Sequence, residues 1–265
     1  EYALQRRIFQ TDLRSPRRWV GALYSLLQWR RLVGYETRAC AAADAVVAVS
    51  EQDAAALRRL RHGTTVTVVP NGIDTSRYTV VAHQGKPNLL FVGTLDYRPN
   101  VDAVLWCLND ILPRVRRVVP QVWLTLVGRS PAPQVQQVAA QREDVLLLPD
   151  VPDVRPYLAK ASVCVVPMRM GSGVRLKVLE AMAAGVPIVS TTLGVSGLAV
   201  RPGEHALVAD TAQAFADAIV ALLRDRALRE RLARSARALV EDWYDWRHIT
   251  PRLLDLYDTL LAGSA

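Results

Sequence analysis

The stretch Gly171-Ser172-Gly173-Val174-Arg175-Leu176-Lys177-Val178-Leu179-Glu180-Ala181-Met182-Ala183-Ala184-Gly185-Val186-Pro187-Ile188-Val189-Ser190 decides the fold of this chain. It reads as a glycine-rich turn, a helix over 174–184, a Gly-Val-Pro break and a buried strand over 187–190. An apolar run, Ser162-Val163-Cys164-Val165-Val166-Pro167, precedes it. A strand that ends in Gly-x-Gly and opens a helix is a ready anion site. The helix start leaves N–H groups unpaired, and glycines let a phosphate approach the backbone. Arg175 and Lys177 add positive charge in the first turns, where the helix dipole does not need it. The pattern points to a negative ligand. Glu180, one turn further, is placed to accept hydrogen bonds from a sugar hydroxyl. Read alone, Gly-Ser-Gly is also an ordinary turn, and basic residues also simply face solvent.

The same alternation extends on both sides. Ala45-Val46-Val47-Ala48-Val49 predicts a strand, and Ser50 predicts the cap of a helix from Glu51 to Arg61. Thr65–Val69 is a strand stopped by Pro70-Asn71-Gly72. After a mixed polar segment at 76–87, strands are expected at Leu89–Gly93, Val122–Gly128, Val145–Leu148 and Val163–Val166. Helices are expected at 100–118, 133–141, 153–160, 211–223, 227–240 and 246–261. Residues 1–43 read as helical, with Pro16 near a helix start. Short apolar strands alternating with helices imply a doubly wound, Rossmann-like α/β fold with a parallel sheet covered on both faces. Ligands of such sheets bind beyond the carboxyl ends of the strands. Here those ends carry Gly93-Thr94, Gly128-Arg129-Ser130, Asp150-Val151 and Gly171-Ser172-Gly173. Strand-to-helix turns need glycine for their own geometry as well.

Composition narrows the classes. The chain has 265 residues, 51% of them hydrophobic, and a net charge of +8. That is enough for two modest domains, and no apolar run is long enough to span a bilayer. The basic balance suits phosphorylated substrates or anionic lipid. No basic helix with interleaved aromatics is present, which argues against nucleic acid as a partner. Cys40, Cys107 and Cys164 are distant from one another and odd in number, as expected of reduced, buried thiols in a cytosolic protein. His62, His83, His205 and His248 lack metal-ligand spacing.

Four segments in order resemble the donor-binding half of a retaining, two-Rossmann-domain (GT-B) glycosyltransferase of family 4. Ser50 to Tyr78, with Val68-Val69-Pro70-Asn71-Gly72-Ile73-Asp74, is similar to the domain junction of that family. Phe91-Val92-Gly93 is similar to its first donor loop, Leu126-Val127-Gly128 to its next strand end, and Gly171–Thr191 to its phosphate and ribose segment. The resemblance covers about residues 44–241.

The resemblance implies a nucleotide-diphosphate sugar as donor, transfer with retention at the anomeric carbon, and no metal cofactor. It implies a diphosphate on the N–H groups of Ser172, Gly173 and Val174, with Arg175 and Lys177 stabilising the leaving nucleotide. Glu180 is similar to the glutamate that holds the ribose, and Asp150 and Val151 lie where the base packs. Gly93, Thr94, Arg98, Gly128, Arg129 and Gly171 complete the expected donor contacts. The chain departs from the family pattern twice. Ser172 stands where a first glutamate pairs with Glu180. Thr94 stands where an arginine begins the first loop, and no lysine follows. Arg175 and Lys177, with help from Arg98, are expected to supply that charge. A subset linked to bacterial polysaccharide assembly resembles this chain at both places.

The expected organisation is a remnant of an N-terminal acceptor domain at 1–75, a linker at 76–87, the nucleotide-sugar domain at 88–243, and a helix at 244–265 crossing back to the first domain. Residues 1–75 match only the last third of an acceptor domain, so a fragment of a longer protein is expected. The acceptor is expected to be lipid-linked or a glycan. A cytoplasmic place at the inner face of the membrane follows from Trp19, Tyr24 and Trp29 beside Arg17, Arg18, Arg30 and Arg31 in one amphipathic region. Two other functions fit the same fold: a non-catalytic nucleotide-sugar-binding or scaffold protein, and a nucleotide-sugar epimerase, for which no convincing set of acid/base residues is present.

Overall fold

The computed structural model describes residues 19–60, 65–80, 85–171 and 173–263. The expected helix over 1–18, with Pro16, Arg17 and Arg18, and the donor contact expected of Ser172 lie outside the described residues. The chain divides into two compact units. One takes the described residues up to Asn71, those from Ile249 onward, and Gly173 with Val174. The other takes Gly72–Gly171 and Arg175–His248, so the boundary falls at Gly72, ahead of the 76–87 segment.

The first unit carries α1 (Trp19–Ala42), β1 (Val46–Ala48), α2 (Glu51–Leu60) and β2 (Val66–Val68). β1 and β2 pair in parallel, with Val46 opposite Val66 and Ala48 opposite Val68. Ala48, Ala54 and Val66 form a small core between strand pair and helix. Ser50 caps α2 as expected: its hydroxyl accepts the Asp53 N–H at 3.1 Å and donates to the Asp53 carboxylate at 2.7 Å. Cys40, expected to be buried, is half-exposed on α1, while Cys107 and Cys164 are fully buried in the second unit.

The second unit carries β3 (Asn88–Val92), α3 (Arg98–Trp106), α4 (Leu112–Val118), β4 (Trp123–Gly128), α5 (Pro133–Ala140), β5 (Val145–Pro149), α6 (Arg155–Leu158) and β6 (Val163–Val166). There follow α7 (Leu176–Ala183), β7 (Ile188–Ser190), β8 (Leu207–Val208), α8 (Ala212–Arg224), α9 (Arg226–Trp243) and α10 (Trp246–Gly263), whose residues from Ile249 belong to the first unit. The sheet order is β5-β4-β3-β6-β7-β8, and every pairing is parallel. β3 and β6 are buried on both faces, which is why their sequences are continuous apolar runs rather than alternating ones. The strand order grows in one direction from β3 to β5 and in the other from β6 to β8. Its reversal lies between β3 and β6, where open α/β sheets form a crevice at the carboxyl end.

Helix punctuation follows the sequence closely. α7 ends in a Schellman motif: the Gly185 N–H meets the Met182 carbonyl at 3.0 Å and the Val186 N–H meets that of Ala181 at 2.9 Å. Gly185 has φ +67°, a conformation that costs a residue with a Cβ. Thr211 caps α8 through the Ala214 N–H, and Asp225 caps α9 through that of Leu228. Two features were not legible. The expected helix over 100–118 is broken by a π-turn at Cys107–Ile111. Pro113 lacks the N–H and crowds the preceding turn, so the backbone widens there. The two-residue strand β8 is too short to carry a period.

Residues 73–78 are fastened to the end of α9. Ile73 donates to the Tyr244 carbonyl at 2.8 Å and accepts from Trp246 at 3.2 Å. The buried Asp245 carboxylate accepts the Thr75 N–H at 3.2 Å, the Thr75 hydroxyl, and the Arg247 N–H and Nε, both at 2.9 Å. Arg247 and these N–H and O–H donors hold the Asp245 carboxyl well below the usual carboxylate range, against the opposing effect of burial. A depressed carboxyl stabilises the fold above its unfolded-state pKa of about 3.9 and loses that contribution as pH falls towards its folded value. Asp245→Asn is expected to cost about 1–3 kcal/mol at neutral pH. Urea melts at neutral and at acid pH check this: the loss of stability on acidification should be smaller in Asp245→Asn than in wild type.

Candidate functional site

The carboxyl ends of β3 and β6 bring together residues from four elements. β3 ends at Val92 and is followed by Gly93-Thr94; α3 begins at Arg98, with Pro99 and Asn100 in its first turn. β6 leads through 167–171 to Gly171, and α7 starts at Leu176 with Arg175 as its N-cap. The expected helix start at 174 is therefore corrected: Arg175 has extended backbone angles and precedes the helix.

Lys177 reaches from α7 to the end of β3. Its Nζ donates to Asn100 Oδ1 at 3.0 Å and lies 4.2 Å from the centre of the Phe91 ring. Asn100 is 7% exposed, and its Nδ2 donates to the Thr94 carbonyl at 2.8 Å. A side chain on Gly93 would place its Cβ 2.7 Å from Lys177 Nζ and 2.9 Å from Asn100 Nδ2. Burial pushes the Lys177 ammonium down to about 8, aided by the Arg175 guanidinium and opposed by the Glu180 carboxylate. Arg175 is 8% exposed, and a Cβ on Gly171 would lie 3.2 Å from its guanidinium and 3.6 Å from Pro99. Gly171 has φ +110° and Gly173 φ +79°, so both glycines of the Gly-Ser-Gly turn are required by the backbone. Arg169 pairs with Asp102 of α3 at 2.7 Å and lies 5.0 Å over the Trp106 ring, fastening the loop before Gly171 to α3.

Glu180 is half-buried one turn along α7. The Tyr78 hydroxyl donates to its Oε1 at 3.5 Å, the outer limit of a hydrogen bond. Burial raises the Glu180 carboxyl, and Tyr78 and Lys177 oppose that. Burial and the neighbouring Glu180 push the Tyr78 hydroxyl up to about 12. Arg237 donates to the carbonyls of Tyr78 and Thr75, each at 3.2 Å, so the segment bearing Tyr78 is held from behind.

The other expected contacts divide into two kinds. Gly128 is a packing glycine: a Cβ there would lie 1.7 Å from the Gly93 carbonyl, whose own N–H meets the Val127 carbonyl at 3.0 Å. Thr94, Arg98, Arg129 and Asp150 stand exposed on the same edge, outside the buried cluster. Asp150 has φ +52° and donates its N–H to the Gly128 carbonyl at 3.2 Å; Val151 beside it is half-buried. Val174 is half-buried, and with Gly173 it belongs to the first unit. Asn100 and Tyr78 were not expected at the site, and Phe91 was expected only as the strand end that opens the first donor loop. Among the described residues, no group of three metal-ligating side chains comes together. The arrangement sets a buried guanidinium, a half-buried ammonium and a half-buried carboxylate at one helix start, groups whose chemistry can meet phosphate and hydroxyl oxygens.

Residues 86–225 match the family model described as Glycosyl transferases group 1, and residues 11–77 match Glycosyltransferase Family 4. The chain is 32% identical over 213 residues to a phosphatidyl-myo-inositol mannosyltransferase of Mycobacterium leprae, covering 77% of this chain and 56% of that protein. It is 31% identical over 205 residues to a glycogen synthase of Mycobacterium tuberculosis, covering 72% and 48%. The chain thus spans about half the length of the curated relatives it matches. Among solved structures, sucrose-phosphate synthase from Thermosynechococcus elongatus superposes with a TM-score of 0.71 at 28% identity, over 87% of this chain and 62% of that one. The α/β fold with parallel sheets is that of these GT-B glycosyltransferases.

The two strand-end glycines should respond differently to alanine. At Gly128 the obstacle is backbone, which cannot give way, and Gly128→Ala is expected to cost about 2–4 kcal/mol. At Gly93 the obstacles are the ends of the Lys177 and Asn100 side chains. Gly93→Ala should therefore stay within about 1 kcal/mol of wild type in stability while displacing the Lys177 ammonium. Chemical denaturation of the two variants distinguishes them.

Proposed function

We propose that this chain, which belongs to the glycosyl transferases of group 1, holds a nucleotide-diphosphate sugar at the β3–β6 reversal and serves its transfer to an acceptor. In that reaction the bond from the sugar's anomeric carbon to the diphosphate oxygen breaks. A bond to the acceptor hydroxyl oxygen forms with retention as its O–H bond breaks, and the nucleoside diphosphate leaves with that proton taken up by its phosphate oxygen or by solvent. The observation that carries the reading is the convergence of the buried Arg175 and the half-buried Lys177 at the entry to α7, with Glu180 one turn on. The Arg175 guanidinium repels the Lys177 ammonium, and a diphosphate bound to both would remove that repulsion. In this reading Arg175 and Lys177 are the catalytic residues, since they neutralise the charge that builds on the leaving group.

The remaining donor contacts follow the same logic. The N–H groups of Ser172, Gly173 and Val174 would meet the phosphates, and Glu180 would accept from the ribose hydroxyls. Asp150 and Val151 would flank the base, and Arg98 and Arg129 would stand at the mouth. Residues up to about 75 belong, in this reading, to an acceptor domain. A non-catalytic nucleotide-sugar-binding role is favoured by Ser172 in place of a first glutamate. Turnover of donor by the full-length protein excludes it.

Calorimetry with a nucleoside diphosphate tests the assignment. Lys177→Ala and Arg175→Ala should each weaken binding by about 1.5–3 kcal/mol, the value of one charge-assisted contact. Unchanged affinity in both variants overturns the donor site.

A lipid-linked acceptor in cell-surface polysaccharide or glycolipid synthesis, reached at the inner face of a membrane, is the finer part of the proposal. No helix among the described residues is long and apolar enough to cross a bilayer. Support for a peripheral contact comes from α1. Leu23, Tyr24 and Leu27 are 60%, 64% and 51% exposed, and Arg30 and Arg31 stand exposed on the same face. Apolar and aromatic side chains beside arginines suit the headgroup region. Trp19, also expected there, lies where side chains are outside the described residues, and Trp29 is half-buried. The full-length protein should float with anionic vesicles and release as salt is raised. Absence of flotation with anionic vesicles removes the membrane from the proposal.

A further inference from the structure

The buried cluster at the end of β3 contains a polar side chain to which the sugar-transfer reading gives no task. Asn100 sits in the first turn of α3, 7% exposed, beside the apolar core residues Val101, Ala103 and Val104. Its amide is used at both ends: Nδ2 donates to the Thr94 carbonyl at 2.8 Å, and Oδ1 accepts from Lys177 Nζ at 3.0 Å. The two bonds fix its orientation. Flipping the amide would set its oxygen against the Thr94 carbonyl and its NH2 against an ammonium, two clashes of like polarity. The acceptor is therefore always presented to Lys177.

We propose that Asn100 is the positioning residue for Lys177, holding its ammonium between α3 and the end of β3, where a donor phosphate meets it. The inference rests on the reading of Lys177 as a phosphate contact. A lysine carries three donors on a flexible stem, and burial alone does not say where its head will lie. Three features set the position here. The Phe91 ring lies on one side at 4.2 Å, the empty space of Gly93 receives the head, and Asn100 supplies the directional bond. The bond is to a neutral amide rather than a carboxylate. An amide orients the ammonium without cancelling its charge, which an anionic ligand then meets in full.

The titratable groups facing Lys177 are Arg175 and Glu180 from its own segment and Cys164 from β6. Burial pushes the Cys164 thiol up to about 12, so it is neutral over the range that matters. The Lys177 charge is lost as pH rises through about 8. A bond to the charged form holds that charge to higher pH. Removing the acceptor lowers the limit, and placing a carboxylate there raises it.

The test is calorimetric titration of the full-length protein with a nucleoside diphosphate, from about pH 6 to about pH 10. The variants are Asn100→Leu, Asn100→Asp and Lys177→Met, and thermal melts first establish that each is folded. Asn100→Ser replaces Asn100→Leu if the latter does not fold. Wild-type affinity should fall through the Lys177 titration, and Lys177→Met should bind weakly without that fall. Asn100→Leu should bind roughly tenfold more weakly, with its alkaline limit moved down. Asn100→Asp should also bind more weakly, because its carboxylate competes with phosphate, but with its limit moved up. Alkaline limits in both Asn100 variants that coincide with wild type overturn the positioning role, while a weak and flat Lys177→Met leaves the donor reading standing. Wild-type affinity and pH dependence in Lys177→Met overturn the donor reading and the positioning role together.

Discussion

The space left by the missing side chain of Gly93 is the constraint on which the site depends. Lys177 Nζ lies where a Cβ would nearly touch it, and the Gly93 carbonyl lies where a Cβ on Gly128 would collide with it. One glycine lets the ends of β3 and β4 close on each other; the other lets a lysine from α7 reach across to that end. The reach exists only because β6, which feeds α7, pairs with β3 rather than with β5. Strand order and two absent side chains are needed together, and neither alone would bring a cation to the strand end.

The charges of the second unit fall into two groups that differ in their partners. Asp144 is bound by Arg142 and Arg116, each at 2.9 Å, and Asp245 by Arg247; their carboxyls are held below the ordinary range. These are carboxylates matched to guanidinium groups, and their work is finished within the fold. Lys177 and Glu180 are moved the other way. Burial works against the ionised form of each, and the hydrogen-bond partner of each is neutral, Asn100 for the lysine and Tyr78 for the glutamate. A charge that is desolvated, oriented and left uncancelled is costly to the folded state and favourable to a ligand of opposite sign or complementary hydrogen bonding. The contrast separates the site from the scaffold without reference to any other protein.

Much of this was legible in the residues. Turn glycines, caps and buried runs are local, so the strands at 88–92, 123–128 and 163–166, the Schellman end of α7 and the positively charged entry to that helix could be read directly. Gly93, Gly128 and Gly171 could be placed on one edge because parallel strands share their polarity. The partners could not. Asn100 is 77 residues from Lys177, and Tyr78 is 102 from Glu180. Asn100 read only as a helix start, although a polar residue among Val101, Val104 and Leu105 was a signal of a buried task. The burial of Arg175 was hidden as well, since an arginine before a helix usually faces water. The π-turn at 107–111 lay in a proline whose effect depends on how tightly the helix is packed.

One of the two departures from the family pattern, that of the first loop, gains a physical account from this geometry. Thr94 stands where a first-loop arginine is usual, and no lysine follows it; yet the Thr94 carbonyl is joined through Asn100 to the Lys177 ammonium. In the sugar-transfer reading, the cation arrives at the same loop from a different element. Coulomb attraction depends on where the charge lies and on the medium around it, not on the strand or helix that bears it. What changes is the tether. A lysine rooted in the second position of α7, whose helix is closed behind it by Gly185, starts from fixed backbone, whereas one rooted in an exposed loop must first be ordered. Moving the charge onto a helix therefore spends less of the binding energy on ordering. It also makes the position depend on a neighbour, because a side chain that crosses between elements needs a receiving group at the far end. Asn100 is that group, so the exchange of a loop cation for a helix cation and the presence of a buried asparagine at the start of α3 are two parts of one solution.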